Sequence, residues 1–261
     1  MAASSRHVSG ERRLRILAEL VVEGPNGLTS QRLGEVCQRV TGVTGASIML
    51  MSGDVVRGSL CATDEVSAMV EELQYTLGEG PCVDAYRSDR PVLEPDLVDP
   101  VHMRWVAFGP PAIEAGVRAI FGFPMRVGVV RLGALNLYCD RPGTLSDDQY
   151  ADALVMADVA ASAILSMQAG AQPGKIAEEL AVGADFQYVV HQAAGMVSEQ
   201  MDETVTQALI RLRAHAFSND RHLDDVAADV VAHRLRFDDG DAGPGPAPHP
   251  DPDPDLKPEP A

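Results

Sequence analysis

The residues of this chain best suited to chemistry are basic and lie near its C-terminal end: Arg211, Arg213, His215, Arg221, His222, His233, Arg234 and Arg236. A guanidinium is planar and permanently charged. Its fork meets a phosphate through two hydrogen bonds, and its face stacks on an unpaired base. A cluster of arginines therefore points to looped RNA, which offers both targets. Elsewhere the reactive side chains are scattered. No GxSxG elbow, Walker loop or HExxH pair occurs, and no His/Cys/Asp set has metal-ligand spacing. Neither a catalytic residue nor a metal site nor a cofactor is expected, and an enzyme is not expected. The pairs Asp147-Asp148 and Asp224-Asp225 stand at helix starts, where the helix dipole accounts for them. Cys37, Cys61, Cys82 and Cys139 form no CxxC pair and read as buried reduced thiols. A redox role for Cys61, Cys82 or Cys139 would require an accessible thiol of low pKa.

The basic residues must be positioned by helices. Asp185 opens an amphipathic run through Phe186, Val189, Val190, Ala193, Met196 and Val197. Asp202 is an N-cap candidate for a second helix through Val205, Ala208, Leu209, Leu212, Ala216 and Phe217. Ser218-Asn219-Asp220 breaks the pattern, and Leu223, Val226, Ala227, Val230, Val231 and Leu235 form a third stripe. Connections this short pack neighbouring helices on one another. Arg211 and Arg213 flank Leu212 of the second stripe, so both are expected to leave the core at its margins, with His215 on the side of Arg211. Arg221 and His222 fall in the following turn. His233 and Arg234 lie near the end of the third helix, where cations are favoured anyway.

With their order and spacing, Gln192-Ala193-Ala194-Gly195-Met196-Val197, the run from Ala208 to Phe217, and Val226-Ala227-Ala228-Asp229-Val230-Val231 resemble the ANTAR domain, a three-helix RNA-binding module of bacterial transcription antiterminators. The resemblance implies binding of paired stem-loops in nascent messenger RNA, which prevents an overlapping terminator from forming. It implies an RNA-contacting set of Gln192, Gly195, Arg211, Arg213, His215, Arg221, His222 and Arg234. Gly195 would admit a close backbone or allow tight helix packing. Many family members carry a basic residue before that glycine; here it is Ala194.

Upstream, the period alternates between helix and strand. Residues 11–22 read as a helix ended by Gly24-Pro25-Asn26-Gly27, and a second helix follows from Ser30 to Gly42. Residues 46–51 and 55–61 read as a β-hairpin around Ser52-Gly53-Asp54, and residues 63–75 return to helical spacing. In Leu77-Gly78-Glu79-Gly80-Pro81-Cys82 the glycines suit a turn and Pro81 the start of a short helix; Glu79 and Asp84 argue against a phosphate cradle. A short strand at residues 91–93, an irregular or helical stretch carrying Trp105 and Phe108, and strands at 117–125 and 129–139 follow. Ser146 with Gln149 is a capping-box pattern opening a long helix through Leu154, Val155, Ala161, Ile164 and Leu165.

This order predicts an α+β fold, an antiparallel sheet with flanking helices, followed by an all-α trio. With the Leu77–Cys82 loop and the strand Gly133-Ala134-Leu135-Asn136-Leu137, it resembles the GAF domain, a sensory fold often placed ahead of an output module. Positions that carry a cyclic-nucleotide signature in some GAF domains fall on Cys139, Asp140, Leu145, Gln149 and Tyr150, and none matches, so an unidentified small molecule is the expected ligand, if any. His102 reads as a surface histidine rather than a haem ligand. The division expected is a disordered stretch at 1–10, a GAF-like domain at 11–168, a linker at 169–184, the ANTAR-like trio at 185–237 and a disordered Pro/Asp-rich tail at 238–261.

A net charge of −17 is not that of a general nucleic-acid binder, so RNA binding would depend on a local patch. No uninterrupted apolar signal sequence precedes Glu11-Arg12-Arg13, and Asp158 interrupts the best membrane-span candidate, so a cytoplasmic location is expected. Two hairpins suggest a homodimer, with the helices at 11–22 and 146–167 pairing between subunits through a seam of Leu154, Ala157, Ala161 and Leu165. The rival reading is a protein-interaction or small-molecule-sensing regulator whose helical module docks a protein partner.

Overall fold

A computed structural model of the protein describes residues 2–20, 28–52, 55–99, 104–169, 185–219 and 221–237. The expected linker helix at 175–182, the tail and His102 lie outside the described residues. Two-residue alternation builds an antiparallel sheet of β1 (Gly45–Ser52), β2 (Val55–Ala62), β3 (Val92–Glu94), β4 (Ala119–Val127) and β5 (Val130–Cys139), in the order β2-β1-β5-β4-β3. Ala46, Ile48, Phe121, Phe123, Leu135 and Leu137 point to one face and are buried there. Met49, Ile120, Ala134 and Tyr138 point to the other.

The first face is covered by α1 (Ala2–Leu20), α2 (Ser30–Thr41) and α6 (Asp147–Ala169). Helix α1 starts at Ala2, well before the expected 11–22 stretch. By length and composition α6 is apolar enough to cross a membrane, contrary to the expectation from Asp158. Its apolar side is occupied by the sheet, however, and its acids meet α1: Asp152 takes Arg12 at 2.6 Å and Arg15 at 2.5 Å, and Asp158 takes Arg13 at 2.8 Å. The capping box holds, with Ser146 and Gln149 exchanging bonds at 3.0 and 3.2 Å. Ala157 and Ala161 are buried in this core, which corrects the expected seam between subunits. Among the large apolar side chains described, Leu154 and Leu165 of α6 and Leu14 and Leu17 of α1 are exposed.

The second face carries α3 (Glu65–Leu77), α4 (Pro81–Ser88) and the short α5 (Gly109–Glu114). Beyond α3 lie α7 (Asp185–Met201), α8 (Val205–Ser218) and α9 (Leu223–Val231). Their buried residues Val190, Ala193, Val197, Leu209, Leu212 and Val226 form one apolar cluster with Val70, Tyr75 and Cys82 of the sheet domain. The N-cap of α8 is Thr204, in a capping box with Gln207; Asp202 adopts the left-handed conformation (φ 51°) in the preceding turn. Helix α9 stops at Val231, so His233 (φ 57°) and Arg234 follow the helix rather than belonging to its last turn.

The Leu77–Cys82 turn is fixed by the sheet beneath it. A Cβ on Gly122 of β4 would sit 2.4 Å from the Pro81 carbonyl oxygen, so backbone passes over backbone there. Gly122→Ala should lower unfolding stability by about 3 kcal/mol in denaturant titration, the upper range for forced overpacking. A loss below about 0.5 kcal/mol, the scatter of neutral substitutions, would contradict this contact.

Candidate functional site

Strand alternation that buries apolar side chains also brings polar ones inward on the second face. Ser47 of β1 and Asn136 of β5 are direct cross-strand partners, and both are buried. Helix α3 presents Ser67, Glu71 and Gln74 toward them at helical spacing. Ser47 Oγ donates to Glu71 Oε1 at 2.6 Å, and Asn136 Nδ2 donates to Ser47 Oγ at 3.4 Å. Gln74 Oε1 accepts from the Cys82 backbone N–H at 2.8 Å, which ties α3 to the start of α4. Gly80 (φ 130°) makes that approach possible, because a Cβ there would lie 2.6 Å from Gln74 Cγ. Glu71 Oε2, Gln74 Nε2 and Asn136 Oδ1 are buried and meet no partner among the described residues. Burial pushes the Glu71 carboxyl up to about 8, against a smaller lowering by Ser47. At neutral pH the cluster is a set of uncharged donors and acceptors, unsuited to general-base chemistry.

The two acids of the turn are structural. Glu79 Oε1 accepts from the backbone N–H groups of Ala107 and Phe108 at 2.7 and 2.6 Å. Asp84 accepts from Trp105 Nε1 at 3.0 Å and pairs with Arg104 at 3.1 Å. Together they pin the buried Trp105 and Phe108 against the domain. Cys37, Cys61 and Cys82 are buried, and desolvation raises all three thiols, Cys61 to about 12. Cys139 is half-buried and also raised by burial. None has the low-pKa setting that a redox sensor needs. No group of three or more His, Cys, Asp or Glu residues that could hold a metal ion occurs among the described residues.

The basic residues of the trio separate into two sets. Arg211 Nε donates to both oxygens of Glu203 at 2.9 Å. Arg221 and Arg234 share Asp229, at 2.6 and 2.7 Å, and lower its pKa, Arg221 the more. Gln192 is exposed on α7. A Cβ on Gly195 would meet nothing within 4 Å, so neither close approach nor tight packing explains that glycine. Ala194 beside it is fully buried, a position where a basic side chain would have no water.

Arg213 is the correction. Instead of leaving the core at its margin, it lies in the seam between α8 and α3. Its guanidinium carbon stands 5.8 Å from the centre of the Tyr75 ring, and Nη1 would be 2.9 Å from a Cβ on Gly78, the left-handed C-cap of α3 (φ 66°). Nε and Nη2 are buried without an acceptor among the described residues. Desolvation lowers its pKa to about 10, with Arg87 lowering it further and Tyr75 opposing. His215 packs edge-on against Phe237 at 5.3 Å. His222 Nδ1 meets Glu72 Oε1 of α3 at 2.8 Å, and that contact raises its pKa. Beside the seam is a cavity of about 320 Å³ lined by Leu73, Thr76, Leu77, Phe217, Arg221 and others.

Sequence reasoning singled out the Arg213 position but not its burial, and it missed Ser47, Glu71, Gln74 and Asn136. The available signal was polar residues at inward positions of strands β1 and β5.

The GAF domain family model matches residues 29–165, over half of the chain, and the chain belongs to that family. No ANTAR model matches the C-terminal trio. Among solved structures the chain is similar to the GAF domain of an Acinetobacter phosphoenolpyruvate-protein phosphotransferase, at 15% identity over 64% of this chain and 98% of that one, TM-score 0.46. It is similar to the corresponding Coxiella burnetii domain, at 13% identity over 62% and 95%, TM-score 0.46. A third is the type II free methionine-R-sulfoxide reductase of Thermoplasma acidophilum, at 17% identity over 51% and 90%, TM-score 0.41. No curated protein matches the chain.

Glu71 makes stability depend on pH in a definite direction. The native state keeps a proton that the unfolded chain releases, between the ordinary value of 4.5 and about 8. Stability is therefore greatest below that window, falls as pH rises through it, and levels off above it. Glu71→Gln, neutral throughout, should gain stability relative to wild type from pH ~4.5 to ~8 in denaturant titrations. A difference that stays flat across the window would contradict the buried, protonated carboxyl.

Proposed function

We propose that the protein is a cytoplasmic, non-enzymatic regulator in which the GAF domain senses a small molecule and the helical trio binds stem-loops in nascent messenger RNA, promoting antitermination. The observation that carries this reading is the ANTAR-like order of residues on three packed helices, with Leu212 buried while Arg211, Arg221 and Arg234 stand outside the trio's core in partly exposed ion pairs. Ion pairs this open to solvent hold weakly, so phosphate oxygens can displace the carboxylates. The protonated Glu71 cluster is the sensory site this reading implies. Exposed Leu14, Leu17, Leu154 and Leu165 on α1 and α6 favour a homodimer that holds two hairpins at once.

A second reading, docking of a protein partner, is favoured by the exposed apolar Val205, Ile210 and Phe217 on α8. Salt separates the two. Crosslinking the protein to RNA in its host and sequencing the fragments should return paired hairpins ahead of terminators. For such an RNA, the triple variant Arg211→Ala/Arg213→Ala/Arg221→Ala should bind at least about tenfold more weakly and flatten the salt dependence by roughly two to three contacts. Unchanged affinity in a folded triple variant, or wild-type binding indifferent to salt, would replace RNA with a protein partner.

A further inference from the structure

Helix α3 works in two directions. Ser67, Glu71 and Gln74 face the sheet, while Met69, Glu72, Leu73 and Thr76, also at helical spacing, face the trio. The same rigid element therefore lines the sensory cluster and covers Arg213. We infer that the docked arrangement is a closed state, in which α3 covers the Arg213 side of the RNA-binding face, and that release of the trio from α3 makes that face available. The inference rests on the RNA reading above and adds its regulation.

The seam is built to be only marginally favourable. Closing it removes Arg213 Nε and Nη2, Tyr75 Oη and Asp224 Oδ1 from water, and none finds a partner among the described residues. In an open state water satisfies all of these groups, and a phosphate oxygen can accept from those of Arg213, so each weakens the docked state. The apolar part of the seam, through Leu73, Leu77, Ala216 and Phe217, is incomplete: the 320 Å³ cavity opens beside it and Phe217 remains 62% exposed. The ion pair that crosses it among the described residues, His222 with Glu72, is largely exposed, and exposed pairs hold little. A ligand that shifts α3 through Glu71 or Gln74 has a two-state contact to bias, and RNA, by taking Arg213, biases the same contact from the other side.

The test uses the full chain as wild type, as Leu73→Gln/Leu77→Gln, which removes apolar contact without adding charge, and as Tyr75→Phe, which keeps the ring and removes the unpaired hydroxyl. Two quantities are read: the rate at which phenylglyoxal modifies Arg213, mapped by mass spectrometry against exposed Arg221, and affinity for a two-hairpin RNA from the crosslinked transcripts. In wild type Arg213 should react more slowly than Arg221. The double variant should speed Arg213 modification and tighten RNA binding about fivefold, the gain expected when a minor open state becomes dominant. Tyr75→Phe should slow modification and weaken binding. Arg213 reacting as fast as Arg221 in wild type, or freer Arg213 with no gain in affinity, overturns the closed-state inference while leaving RNA binding in place. Absence of RNA binding in all three chains, with Arg213 reactivity in the expected order, overturns the RNA reading and the inference with it.

Discussion

The burial of helix α3 from both sides is the constraint on which the rest of the structure depends. Its inner face carries a carboxyl that cannot ionise without leaving Ser47 and Asn136 in a charged interior, and its outer face supplies the ring under Arg213. Asp64 caps its start, accepting from the Ser67 backbone N–H at 2.7 Å and from Tyr138 Oη at 3.1 Å, and Gly78 ends it in a conformation that also leaves room for the arginine. The helix is thus fixed to the sheet at one end and to the trio at the other. A rigid helix held in this way would carry a shift of its inner face to its outer one.

The charge distribution follows the same division. A chain of net charge −17 repels RNA at long range, so the proposed binding would have to come from close contacts. Arg211, Arg221 and Arg234 are already neutralised by Glu203 and Asp229, which suppresses indiscriminate attraction but leaves the guanidinium forks within reach of a better acceptor. Arg213 is withheld by a different means, desolvation, which is more costly and therefore more responsive to a change in packing.

Much of the fold was legible in the sequence because its periods are clean. The hairpin at β1 and β2, the β4–β5 pair around Gly128 (φ 59°) and the Ser146 cap all fell where alternation and turn chemistry put them. Errors came where tertiary packing overrides local pattern. Asp202 lost the α8 cap to Thr204, which can form the reciprocal box with Gln207. Ala157 and Ala161 read as a seam between subunits because small residues suit either environment, and the sheet claimed them. Arg213 looked peripheral because its own helix leaves it peripheral; only the neighbouring domain buries it. The Glu71 cluster was hidden for a related reason: its members are distant in sequence and meet only when β1, β5, α3 and α4 assemble.

The central claim is that sensory core and trio communicate through α3. Hydrogen–deuterium exchange of the full chain with and without hairpin RNA tests it most directly. The account predicts that RNA changes protection in α8 and, together with it, in α3 between Glu65 and Leu77. Protection that changes only within residues 185–237, with α3 exchanging at the same rate in both states, would contradict it.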